Sequence, residues 1–126
     1  FWGGMAIQSF RELEVWQVAM ELVVATHRLT NTFPKHELYG LSAQMRRASV
    51  STPSNIAEGS RQGTTSALIQ YLRHALGSNA ELETQLEIAK RLNYADAEEV
   101  VPIEELAVRV GKMLNKLTGN LERSRS

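Results

Sequence analysis

The sequence predicts an all-α protein, an up-down-up-down antiparallel four-helix bundle. Apolar residues recur at steps of three and four in four separate segments. No segment shows the period-two alternation of a half-buried strand. The connections are short and polar, which favours antiparallel neighbours.

Ser9 and Glu12 have capping-box spacing, so a first helix is expected to start near Phe10 to Glu12 and to end at about Asn31, before Phe33-Pro34. It carries two apolar stripes. Leu13, Trp16, Met20, Val24 and His27 form one; Val15, Val18, Leu22, Ala25 and Leu29 form the other. A bundle helix needs only one, so the second stripe implies a further covering surface. The second helix, expected from a Ser42 cap to Gly59, repeats the message. Leu41, Met45, Ala48, Thr52, Asn55 and Ile56 share one stripe, Val50, Pro53 and Ala57 another, and Arg47, Ser51, Ser54 and Glu58 a third. So few charges over so many residues do not make a solvated face. Pro53 removes one backbone donor and is expected to kink the helix. Arg47 and Glu58 are expected to be ion-paired, with Glu83 or a neighbouring chain as partner.

Thr64 or Thr65 is expected to cap a third helix reaching Asn93. Leu68, Leu72, Ala75, Asn79, Leu82, Leu86 and Ala89 alternate in steps of four and three, a heptad seam with a polar residue in it. Asn79 reads as a satisfied core amide that fixes register, and Gly77, off the seam, as a place for close helix approach. Asp96 and Glu99 again have capping-box spacing. Pro102 predicts an early kink or a short turn before the main fourth helix, whose stripe is Ile103, Leu106, Val110, Met113, Leu114, Leu117 and Leu121. The bundle is thus expected over residues 9–122, with a frayed polar tail over 123–126. Residues 1–8 are expected to be a disordered or appended leader, with Met5 the native start.

The 126-residue chain is long enough for one domain with a real core. It has 14 basic and 14 acidic residues, so its formal net charge is zero. Neutrality argues against a dedicated nucleic-acid binder and tolerates self-association. The chain has no cysteine, which excludes disulfides, Cys-ligated zinc and thiol catalysis and fits a cytoplasmic location. No apolar run is long enough to span a membrane.

Phe10-Arg11-Glu12-Leu13-Glu14-Val15-Trp16-Gln17, Gly40-Leu41-Ser42-Ala43-Gln44-Met45-Arg46-Arg47-Ala48, Pro53-Ser54-Asn55-Ile56-Ala57-Glu58-Gly59 and Gly77-Ser78-Asn79-Ala80-Glu81-Leu82-Glu83-Thr84-Gln85-Leu86 together resemble the four-helix-bundle family of intervening-sequence proteins. These are bacterial proteins first noticed in insertions within 23S ribosomal RNA genes. The accessory variability determinant of diversity-generating retroelements is a relative of that family. The resemblance implies an up-down four-helix bundle assembled as a ring-shaped homopentamer, with no enzymatic activity. It also implies nucleic-acid binding, and for the retroelement relative a reverse-transcriptase partner. The chain departs from the family in placing Asn79 where an apolar residue is general, and from the basic retroelement relative in its neutral charge.

The residues themselves carry little chemistry. His27, His36 and His74 lack a second ligand at metal spacing. There is no phosphate-binding loop, dinucleotide fingerprint or nucleophile elbow. Glu81, Glu83 and Glu87 lack the Glu-x-x-His partner of a di-metal bundle. No cofactor and no small-molecule substrate are expected. The expected function is an oligomeric, non-enzymatic scaffold or adaptor for a protein or RNA partner. The alternative is sequence-tolerant nucleic-acid binding through a basic face of the ring, for which Arg46, Arg47, Arg61 and Arg73, or Lys112 and Lys116, are the candidates. Val15, Val18, Leu22, Val50, Pro53, Asn55, Ala57, Glu58, Asn79 and Glu83 are the candidate structural or interface residues.

Overall fold

The computed structural model describes residues 9–125; the predicted leader, residues 1–8, and Ser126 lie outside them. Four helices account for most of the chain: α1 (Glu14–Thr30), α2 (Leu41–Ser60), α3 (Thr65–Arg91) and α4 (Ala97–Arg125). Each packs against its two neighbours in cyclic order, and the diagonal pairs make no close approach. This is the antiparallel four-helix bundle the periodicity predicts, and no strand occurs among the described residues.

The heptad seam of α3 is buried along its whole length, from Leu68 to Ala89. Met45, Ala48, Thr52 and Ile56 meet it from α2, and Val100, Ile103, Ala107, Val110, Leu114 and Leu121 from α4. The core side of α1 is Val15, Val18, Ala19, Leu22 and Leu29, completed by Thr26 and Thr30. Both threonines are buried without strain on polar satisfaction, because each hydroxyl donates to a carbonyl one turn back, Leu22 O at 2.7 Å and Thr26 O at 2.9 Å.

Several helix ends differ from expectation. The Ser9–Glu12 capping box forms, but it closes a 3-10 turn, Phe10–Glu12. Leu13 is extended (φ −72°, ψ 127°) and turns its side chain into the core, so α1 starts at Glu14. Ser42 does not cap α2; it is buried in the first turn, and the Glu37 carboxylate instead accepts from the Leu41 N–H at 2.9 Å. Gly59 is not a terminal cap but a buried position inside the last turn, and α2 continues to Ser60. Thr64 caps α3, accepting from the Ala67 N–H at 3.1 Å. Asn93 adopts φ 60°, and the Tyr94 N–H reaches back to Ala89 O while the Asn93 N–H reaches Lys90 O. This six-to-one, five-to-two pair ends α3 as a Schellman turn.

Pro53 and Pro102 both lie inside unbroken helices, so the short turn considered before α4 does not occur. The predicted tail is helical through Arg125. The Leu121 carbonyl accepts from the Ser124 hydroxyl there, and Arg123 bonds Asn120.

One end of the bundle is clasped across two loops. The Tyr94 hydroxyl donates to Glu37 Oε2 at 2.7 Å, His36 Nε2 lies 3.3 Å from the same hydroxyl, and the Phe33 and Tyr94 rings pack at 5.5 Å. The Leu41 N–H and then the Tyr94 hydroxyl hold the Glu37 carboxyl below its ordinary value. Glu37 likewise raises the Tyr94 phenol. A carboxyl depressed in the folded state stabilises above its unfolded pKa, near 4.5, and loses that contribution as pH falls through its lower folded value. Glu37→Gln is therefore expected to flatten the acid limb of a stability-against-pH curve below about pH 4.5. Thermal melts between pH 3 and 6 check this; an acid limb as steep as wild type would sink it.

Candidate interaction face

The two apolar stripes of α1 face opposite ways, and the inner one is not the one that can meet another chain. Val15, Val18 and Leu22, expected as structural or interface residues, are structural: they are core residues of their own subunit. The other stripe faces outward. Met20 is 38% exposed and Val24 45% exposed, and Trp16 is half-buried against the ring of Phe10, edge-on at 5.5 Å. Periodicity alone leaves the two stripes equivalent. The deciding signal is the threonine pair, since Thr26 and Thr30 extend the inner stripe and can satisfy their hydroxyls within the helix.

On α2 the outermost stripe is Gln44, Arg47, Val50, Ser54 and Glu58, all exposed. Val50 is 43% exposed. Trp16, Met20 and Val23 of α1 and Val50, Pro53 and Ala57 of α2, with Phe10 and Arg11 at one end, line a groove of about 340 Å³ between the helices. Pro53 is itself buried and Ala57 half-buried, so the floor is set by short side chains. Across α2, toward α3, the Ser51 and Ser78 hydroxyls meet at 2.8 Å, and the Asn55 amide donates to Ser51 O and Oγ. Asn55 thus holds Ser51, whose hydroxyl makes the α2–α3 contact.

Arg47 and Glu58 are not paired within the subunit. Both are exposed, and neither makes an ion pair among the described residues. They sit about three turns apart, roughly 16 Å at 1.5 Å rise per residue, too far to reach one another. Glu83, the other expected partner, is half-buried and makes no ion pair among the described residues.

The basic candidates do not form one patch. Arg46 is a staple between α1 and α2, its guanidinium donating to Thr30 Oγ1 at 2.9 Å and Asn31 Oδ1 at 2.8 Å. Arg61 stands at the far end of α2, with its guanidinium 5.9 Å from the Phe10 ring centre. Arg11 covers the same ring at 4.6 Å, an aromatic–arginine cluster that sequence spacing does not reveal because it joins distant segments. Arg73 is ion-paired with Glu122 of α4. Lys112 and Lys116 are exposed on α4, which is diagonal to α2. Lys112 borders a shallow groove of about 450 Å³ with Val101, Val108 and Met113.

Asn79 is 1% exposed, and its amide donates to Ala107 O of α4 at 2.8 Å. Its oxygen is buried without a partner, so the satisfied core amide expected here is satisfied on its donor side only. Gly77, by contrast, has open space where a Cβ would stand, so it permits no close approach within the subunit. No group of three or more His, Asp or Glu that could hold a metal occurs among the described residues. No helix among them is long and apolar enough to cross a membrane.

Fold and face together define an all-helical bundle protein with an outward apolar groove. The family model of the 23S rRNA-intervening sequence proteins matches residues 11–116. The chain belongs to that family. A similar solved structure is that of a protein of unknown function from the S23 ribosomal protein family of Bacteroides thetaiotaomicron. It is 24% identical, with a TM-score of 0.77 over 82% of this chain and 97% of that one, and supports the fold. No curated protein matches the chain.

Proposed function

We propose that the protein is a non-enzymatic, cytoplasmic scaffold that works as a homo-oligomer, a ring-shaped pentamer in line with the family it belongs to, and presents its outer surface to a protein partner. The observation that carries this reading is the outward apolar face of α1 and α2, with Met20, Val24 and Val50 each more than a third exposed. Apolar surface gathered around a groove and left to water favours association. Zero net charge removes the repulsion that would oppose it. A protein partner is favoured over RNA because the candidate cations are scattered and two of them, Arg46 and Arg73, are engaged within the chain.

Light scattering at micromolar concentration is expected to give an integral multiple of 14.1 kDa; a monomer would overturn the reading. Labelled single- and double-stranded RNA and DNA, titrated at low salt, are expected not to bind at tens of micromolar protein. Binding that falls with salt at a log–log slope of about −0.7 to −0.9 per phosphate contacted would replace the protein-scaffold reading with the nucleic-acid one. Charge reversal at Arg61 and Arg73 would then be expected to weaken it.

A further inference from the structure

We infer that a pocket between the C-terminal end of α1 and the first turns of α2 is a binding site for a small organic carboxylate. The inference goes beyond the scaffold reading and does not rest on it.

The pocket holds about 260 Å³. Phe33, Pro34 and Leu38 of the connecting loop give it an apolar side, and Lys35, Ser42 and Arg46 a polar one. Ser42 is 2% exposed, yet its hydroxyl has no hydrogen-bond partner among the described residues. Thr52 and Thr118 also have unpartnered hydroxyls, but those are sealed away from solvent. Ser42 lines a cavity. A buried hydroxyl without a partner costs stability, and an acceptor oxygen in the pocket would relieve that cost.

Arg46 is held in place before any ligand arrives. Thr30 Oγ1 and Asn31 Oδ1 accept from its Nε and Nη2 at 2.9 and 2.8 Å, which leaves both Nη1 hydrogens and one on Nη2 for a ligand. A side chain already fixed loses little freedom on binding. Two cations and no carboxylate line the pocket, in a chain whose charges balance overall. Glu37, in the same loop, is engaged by the Leu41 N–H and the Tyr94 hydroxyl. Because α2 starts at Leu41, the positive end of its dipole lies at this pocket too.

These features select the ligand. An anion answers Arg46 and Lys35, and a pair of oxygens suits the guanidinium fork. The Phe33–Pro34–Leu38 side covers an apolar body, which inorganic phosphate lacks. The volume lies below the roughly 300–1,000 Å³ of pockets for drug-sized ligands, so that body is a short chain or a single ring. No His, Asp or Glu lines the pocket to move a proton; the ligand is bound, not converted.

The probe is 4-fluorobenzoate, titrated at neutral pH and followed by its own fluorine NMR signal, which can be read whatever the size of the assembly. Saturable binding in the millimolar range is expected, ordinary for so few atoms. 4-Fluorobenzamide, the same shape without the charge, is expected to bind at least tenfold more weakly. Ser42→Ala is expected to weaken 4-fluorobenzoate at least threefold while thermal stability holds or rises, because the lost hydroxyl has no partner in the free protein. Lys35→Gln, on the exposed rim, is expected to weaken it about threefold. No saturation by tens of millimolar, or equal binding of the amide, overturns the site. Wild-type affinity in Ser42→Ala and Lys35→Gln overturns its location. Inorganic phosphate displacing the probe at equal concentration overturns the carboxylate assignment in favour of a bare anion.

Discussion

Asn79→Asp is expected to be among the most damaging single substitutions available that leave side-chain shape unchanged, and its damage should depend on pH. The Asn79 amide nitrogen donates to Ala107 O at 2.8 Å, and its own oxygen is buried without a partner. Gly111 lies close alongside, where a Cβ would stand 3.3 Å from that nitrogen. An aspartate keeps the shape but loses the donor and brings a charge into a site with no cation. Leaving a charge buried and unpaired costs about 3–5 kcal/mol, a large share of the roughly 5–15 kcal/mol that holds a domain together. The new carboxyl is held above its unfolded pKa of about 3.9. The penalty is therefore small below that value, where the protonated acid can donate to Ala107 O, and grows as pH rises through the folded pKa. Asn79→Ser loses the same contact without the charge, so its cost should not change with pH and should fall below that of Asn79→Asp only at pH 7. Urea unfolding of both variants and wild type at pH 3.5, 5 and 7 separates the two effects. A loss in Asn79→Asp that does not change with pH would sink the account.

How much of the bundle was readable in advance depends on how locally each feature is encoded. The α3 seam was legible from end to end because its period is unbroken and its one polar member finds a backbone carbonyl across the interface. The helix ends were less so. Ser9 and Glu12 make their capping box whatever follows, but Leu13 is drawn inward by the core and delays α1 by a few residues, a tertiary effect that no capping rule contains. Ser42 has the right chemistry for a cap, yet Glu37 reaches the first free N–H of α2 from the preceding loop. The candidate face was half legible. Two apolar stripes on α1 implied one that faces outward, and Met20 and Val24 do, but Val15, Val18 and Leu22 proved to be the inner one. What separates them from Met20 and Val24 is the company of Thr26 and Thr30, residues that count as polar in a periodicity and as buried in the fold. The Tyr94–Glu37 clasp and the Arg11–Phe10–Arg61 cluster join segments far apart in the chain, and nothing in local spacing encodes such meetings.

The same substitution at two glycines is expected to act with opposite signs. A Cβ on Gly59 would stand 2.8 Å from Tyr71 Cβ and 3.1 Å from Leu68 Cδ1, both on α3. Tyr71 Cβ is bonded to backbone and cannot swing away, so α2 and α3 must separate. Overpacking of this kind costs about 1–3 kcal/mol. The gain in helix propensity is at most about 1 kcal/mol and is reduced near the end of α2, so Gly59→Ala is expected to be destabilising on balance. Gly59→Val, with two more methyl groups at the same contact, should cost more. At Gly77, inside α3, nothing lies within 4 Å of the added atom, and Gly77→Ala is expected to stabilise by up to about 1 kcal/mol through propensity alone. Chemical denaturation of the three variants at one protein concentration gives the comparison. Equal shifts for Gly59→Ala and Gly77→Ala would mean that the close α2–α3 approach at Gly59 does not constrain the bundle. If only Gly77→Ala is destabilising, the open side of Gly77 is covered by another chain in solution.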